Sequence, residues 1–211
     1  MLGGGGEAIN VVSIRRSYLT FFFDTQENRG YIMIDTAQYF DRMLRAAKLD
    51  ANLYEEVEAD RGALPQAAGV VVLSSLAAGI GAMTAAGFKG IVIGTIAALV
   101  GWCVWALIVY LVGTKILPEP QTKAGYGEVL RTIGFSSSPG VIRVLGIIPG
   151  LMWIVSLIAT VWMFVAMVIA VRQALDYRST ARAVGVCVIG WVIQVVVIIM
   201  VFALFGGPGH A

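Results

Sequence analysis

Charge is scarce in this chain. Asp, Glu, Lys and Arg make up 13% of its 211 residues, against roughly 25% in an ordinary soluble domain. With 58% hydrophobic residues and a mean hydropathy of +0.83, most of the apolar surface must face something other than water. Histidine is nearly absent, with His210 alone, and the two cysteines, Cys103 and Cys187, stand inside apolar runs. Without CxxC or Cys/His spacing, no metal site is expected, and the cysteines read as small packing residues. P-loop, GxSxG and HExxH motifs are missing, and the long apolar runs hold no Asp, Glu or His of the kind a proton relay uses. These absences predict a protein that is not an enzyme, with no cofactor and no evident soluble small-molecule substrate. A net charge of +2 gives no reason to expect nucleic acid as a partner.

The charge that is present is concentrated early. Seven of the fifteen Lys/Arg and ten of the thirteen acids precede residue 65. Residues 1–33 are poorly patterned: Gly3 to Gly6 is a flexible run, and Tyr18 to Phe23 is too short to cross a bilayer. They also lack the layout of a signal peptide. Patterning starts so abruptly that Met33 is read as the biological start and residues 1–32 as a gene-model extension. An intact native protein retaining those residues would contradict this. From Ile34 the spacing is helical, with Ile34, Ala37, Phe40, Leu44 and Ala47 on one face and Asp41, Arg42, Arg45 and Lys48 mostly on the other. Such a helix lies either on an anionic membrane surface or on the protein's own cytoplasmic face. Asn52 to Asp60 (NLYEEVEAD) then makes an acidic patch, either a solvated face or a docking surface for a basic partner.

Four apolar segments are long enough to span: about 65–86, 90–116, 151–171 and 183–205. In the second, Gly90, Gly94 and Gly101 form a small-xxx-small face suited to close helix packing. A fifth stretch, about 131–148, is broken by SSSPG (136–140) and Pro149-Gly150 and carries Arg143. If it crosses, thirteen Lys/Arg fall on the side of the N-terminus and only Lys89 on the other; if it is re-entrant, the count is eleven against four. The positive-inside rule therefore favours five crossings, with the third short and broken, the N-terminus cytoplasmic and the C-terminus outside. Arg143 is costly inside a bilayer. It is expected to snorkel near the cytoplasmic end, or to meet Gln194, the carbonyls of Ser136 to Gly140, or a lipid phosphate.

Taken together, NLYEEVEAD, two spans joined by a tight turn, YGEVLRTIGFSSSPG (126–140), a Pro-Gly break and two further spans resemble the Yip1 domain family, in its compact prokaryotic form. The resemblance covers about residues 34–206. It implies a five-span protein with a cytoplasmic N-terminus. Eukaryotic members act in traffic between endoplasmic reticulum and Golgi and bind prenylated Rab-type GTPases. Asn52-Leu53-Tyr54 matches the family's DLY element with Asn for Asp; Tyr126-Gly127 and Pro139 match its YGYxxxxY-P element loosely. The long cytoplasmic domain of eukaryotic members is missing.

The fold expected is all-α: a polytopic bundle of five transmembrane helices preceded by a cytoplasmic amphipathic helix. The expected divisions are 1–33, an arm at 34–62, a membrane domain at 63–206 and a tail at 207–211. The function expected is a membrane adaptor or organiser, either an accessory subunit of a larger assembly or a trafficking factor, in the bacterial plasma membrane. Its partners would be the bilayer and other membrane proteins, bound through Asn52, Leu53, Tyr54, Glu55, Glu56, Tyr126, Gly127 and Pro139. The alternative is a small transporter, channel or lipid-handling protein that uses the broken span, Arg143 and Gln194.

Overall fold

The computed structural model describes residues 36–205, and their regular structure is entirely helical. The reading of residues 1–33, Met33 as the start, Ile34 and the tail at 207–211 lie outside the described residues. From Asp41 onward the described chain belongs to one compact unit.

The elements in order are α1 (Thr36–Ala47), α2 (Ala51–Ala59), a 3-10 turn (Arg61–Ala63), α3 (Leu64–Gly81) and α4 (Met83–Leu111). A π-helical turn (Val112–Ile116), α5 (Tyr126–Phe135), a 3-10 helix (Ser138–Ile147), α6 (Met152–Ala174) and α7 (Thr180–Phe205) follow. Local chemistry accounts for several boundaries. Asp50 caps α2 by accepting from the Asn52 amide at 3.0 Å. Pro65 sits in the first turn of α3, where its missing N–H costs nothing. Gly87, at φ +62°, breaks the start of α4 with a backbone that side chains disfavour, and makes the reversal expected there.

Four helical stretches are long and apolar enough to cross a membrane: Arg61–Gly81, Gly87–Ile116, Met152–Ala174 and Thr180–Val197. Large apolar side chains stand exposed along them, among them Ile93, Ile96, Trp153, Ile158 and Trp191. An apolar surface of that extent calls for a lipid solvent. Val109, Val112, Val129, Val171, Leu175 and Val186 build the buried core between α4, α5, α6 and α7.

The segment between α4 and α6 is helical but in two pieces. Glu128 reaches back to accept from the Gly125 amide at 2.6 Å, which starts α5. Pro139 then sits in the first turn of the 3-10 helix. Along this segment Gly134 lies against Ala67, Gly140 against Ser74 and Met163, and Arg143 and Gly146 against Gly81. The segment Tyr126–Ile147 therefore runs beside α3 in the same direction along its length. The sequence reading expects Tyr126, Gly127 and Pro139 to meet a partner; the segment is instead buried from Val129 to Ser136, because glycines on both pieces let it nest in the bundle.

Candidate functional site

At one end of the bundle, polar side chains tie the arm to the helices. Arg42, only 4% exposed, pairs with Glu56 at 2.8 Å and Asp60 at 2.9 Å and donates to Gln66 at 2.9 Å. Arg45 pairs with Glu56 at 2.7 Å and Asp50 at 2.9 Å. The hydrogen bonds it donates to Glu56 and Asp50 hold the Arg45 guanidinium above its ordinary pKa. The Arg45 bond in turn holds Asp50 below the usual carboxylate value. Burial works to raise Glu56, but the bonds from Arg45 and Arg42 outweigh it and keep it low. The two arginines of α1 are thus turned inward onto α2, Asp41 and Lys48 stay exposed, and Leu44 on the apolar side is 54% exposed.

Three further side chains fasten this arm to the bundle. Arg131 of α5, 7% exposed, donates from Nε to the Val57 carbonyl at 2.9 Å and also bonds the Glu58 carbonyl. These carbonyls belong to the last turn of α2, which has no helical partner for them. Trp162 of α6 donates to the Ala47 carbonyl at 2.8 Å. Gln173 donates to Glu55 at 2.8 Å. The loops join the same polar end. Arg182 pairs with Glu119 at 3.3 Å, and Thr122 donates to the Leu175 carbonyl at 3.0 Å. The Tyr177 hydroxyl lies 2.9 Å from the Gly113 carbonyl and 2.7 Å from that of Leu117, serving the carbonyls that the π-turn frees. Burial pushes its pKa up to about 12.

The sequence-expected partner residues are divided by this arrangement. Asn52 and Glu55 are exposed. Leu53 and Tyr54 are fully buried, and Glu56 is half-buried in its ion pairs. Burial drives the Tyr54 hydroxyl far above its ordinary pKa, and among the described residues that hydroxyl has no hydrogen-bond partner. Tyr126 is half-buried and donates to the Cys103 carbonyl at 3.0 Å. Gly127 is half-buried beside Arg131, and Pro139 is buried deep in the bundle. The two motifs do not form one surface, because the second runs inward along α3. Arg131, Trp162 and Tyr177 were not singled out from sequence. Each pairs with a backbone carbonyl distant in the chain, which side-chain pattern does not reveal.

The intramembrane polar pair is also separated. Arg143 lies level with Gly81, at the end of α3 away from the arm, and donates to Thr160 Oγ1 at 3.2 Å. It does not sit at the end that carries the arm, and among the described residues neither Gln194 nor the carbonyls of Ser136 to Gly140 bond it. Gln194 instead borders an apolar cavity of about 460 Å3 with Trp105, Phe164 and Trp191. There Gln194 Oε1 and Trp105 Nε1 are buried without a partner among the described residues. Gly94 and Gly101 do not make close helix contacts, since a Cβ at either would meet nothing within 4 Å. They line a groove with Gly90, Trp102 and Arg143.

Apolar helices of spanning length joined by polar loops at one end define a multi-pass helical membrane protein. A profile of the Yip1 domain matches residues 52–202, most of the chain, and the chain belongs to the Yip1 domain family. No curated protein and no solved structure matches it.

Proposed function

We propose that the protein is a non-enzymatic membrane organiser: a five-crossing bundle that offers its arm to partner proteins on the cytoplasmic side. It would act as an accessory subunit of a larger membrane assembly or as a trafficking or organisation factor, in the bacterial plasma membrane. The observation that carries this reading is the fastening of the arm by Arg131, Trp162 and the Arg42–Arg45 ion pairs. A helix pair held that firmly is a preorganised surface, which lowers the ordering cost of binding. Asn52 and Glu55 remain exposed on it.

Five crossings are supported by the course of Tyr126–Ile147 beside α3. Its Gly134 lies beside Ala67 and its Gly146 beside Gly81, so it follows α3 over most of a helix long and apolar enough to span. With that segment crossing, the arm and the loops at 112–125 and 175–180 share one side with nearly all the Lys/Arg, and Lys89 stands on the other. The exposed Leu44 supports an α1 whose arginines dock on α2 while its apolar face meets lipid. The two roles considered for this helix are then compatible.

Topology is tested by removing Cys103 and Cys187 and placing single cysteines by Lys89→Cys and Ala51→Cys. A membrane-impermeant maleimide added outside intact cells should label the first and not the second; the reverse pattern overturns the orientation. The organiser role is tested by purification in mild detergent. A stoichiometric partner should be recovered with the native chain and lost with Asn52→Arg/Glu55→Arg. A partner-free monomer in native mass spectrometry counts against it.

A further inference from the structure

The groove beside Arg143 has the features of a site for one phospholipid. It lies between α3, α4, the Tyr126–Ile147 segment and α6 and encloses about 430 Å3. One wall is Gly90, Gly94, Ala98 and Gly101 of α4, continuing to Trp102 and Trp105. From Gly90 to Trp105 that wall is roughly 22 Å long at 1.5 Å per residue, the length of an extended acyl chain. Neither Gly94 nor Gly101 is filled by protein, and a side chain at either would enter open space.

The groove ends at a cation without a counter-charge. Arg143 makes one hydrogen bond, to the Thr160 hydroxyl, and among the described residues no carboxylate pairs with it. A guanidinium has five N–H donors in a fixed fork, so most of its capacity is left unused by the described residues. At membrane depth an uncompensated arginine is expensive, and a phosphate diester is the anion the bilayer itself supplies. Arginine binds phosphate in a bidentate manner. The Arg143 backbone is level with Gly81, where α3 ends on the side away from the arm, so a headgroup phosphate on that side would be within reach of its guanidinium.

We propose that the groove holds a phospholipid, with its phosphate on Arg143 and one acyl chain along the Gly94–Gly101 wall toward Trp105. This rests on Tyr126–Ile147 lying within the bilayer, which the maleimide labelling tests separately. The lipid would then complete the packing of the third segment, filling space that larger side chains fill in other bundles.

The test uses the full chain, stripped of lipid in detergent and given palmitoyl-oleoyl phosphatidylglycerol, dioleoylglycerol or inorganic phosphate, with bound lipid read by native mass spectrometry. The native protein should retain phosphatidylglycerol stoichiometrically. Loss of one charge-assisted contact should weaken it at least about tenfold in Arg143→Gln and less in Arg143→Lys. Dioleoylglycerol, which lacks the phosphate, should bind like the Gln variant, and inorganic phosphate should not compete. Gly94→Leu should abolish the adduct without lowering the melting temperature, since it fills only the groove. This variant keeps the proposal falsifiable if Arg143→Gln does not fold. Unchanged phosphatidylglycerol binding in Arg143→Gln or in Gly94→Leu overturns the site. Displacement by inorganic phosphate replaces the lipid with a simple anion and also overturns it.

Discussion

Arg131 Nε donates to the carbonyl oxygen of Val57 at 2.9 Å, joining α5 to the last turn of α2 across 74 residues of chain. A cation at a helix C-terminus satisfies orphan carbonyls and opposes the negative end of the helix dipole. Removing it leaves those carbonyls buried without a donor. Arg131→Met should therefore cost about 2–3 kcal/mol and lower the melting temperature in detergent, with the loss focused on the arm. Hydrogen exchange in α2 should rise far more than in α6. Equal protection of α2 in the variant and native protein would show that the bond contributes nothing.

The same end of the molecule should respond to pH in two opposed ways. Burial, then the carboxylates of Asp176, Glu128 and Glu55, raise Glu58 to about 7 against the opposing pull of Arg131. A raised carboxyl binds its proton more tightly in the folded state, so stability falls as pH rises from its ordinary value of 4.5 toward 7. Glu56 and Asp50 are held low by Arg45 and Arg42. Their contribution is present above the ordinary carboxylate range and lost as pH falls through it. Arm protection should thus peak near about pH 5. Glu58→Gln should flatten the rise between pH 7 and pH 5 while leaving the loss in stronger acid. A Glu58→Gln profile that superimposes on the native one would remove Glu58 from this account.

Four spanning helices, the arm and the reversal at Gly87 follow from local pattern: apolar length, charge placement and a glycine free to take positive φ. The crossing of the stretch at 131–148 is expected from loop charges, but the burial of polar residues in α5 is not. Its sequence, YGEVLRTIGF, has the amphipathic pattern of a surface turn, and its polar Arg131 and Thr132 are buried because Val57, Glu58 and Glu128 carbonyls receive them. Hydropathy records the cost of a polar side chain and not the partner that offsets it. Small residues mislead in a related way. Gly90, Gly94 and Gly101 have the spacing of a packing face, but spacing does not reveal whether a neighbouring helix occupies the cleft or leaves a groove.

Glycines that do carry close packing are elsewhere, and substitution separates the two kinds. A Cβ at Gly81 would lie 2.1 Å from the Arg143 carbonyl oxygen, a backbone atom that cannot step aside. At Gly134 it would lie 2.7 Å from the Ala67 Cβ and 3.1 Å from the Trp102 ring. Gly81→Ala and Gly134→Ala should each destabilise by about 1–3 kcal/mol through overpacking. Gly94→Ala should be neutral or stabilising by up to about 1 kcal/mol, because alanine is the better helix former and nothing obstructs it. Thermal unfolding in one detergent across the three variants checks the order. A destabilising Gly94→Ala would mean that the groove is closed.

Tyr54 separates structure from recognition within the arm. Its ring is fully buried and among the largest such side chains, so Tyr54→Ala should cost about 3–5 kcal/mol, as large-to-small core changes do. The hydroxyl is another matter, buried without a partner among the described residues. An unsatisfied buried hydroxyl costs about 1–3 kcal/mol, so on folding grounds alone Tyr54→Phe should be neutral or stabilising. If the hydroxyl is instead held for a partner that reaches it when bound, Tyr54→Phe should raise the melting temperature and still release that partner in mild-detergent purification. Stability and binding would then move in opposite directions. A Tyr54→Phe protein that keeps its partner and gains stability would assign Tyr54 to the core alone and leave Asn52 and Glu55 as the recognition surface of α2.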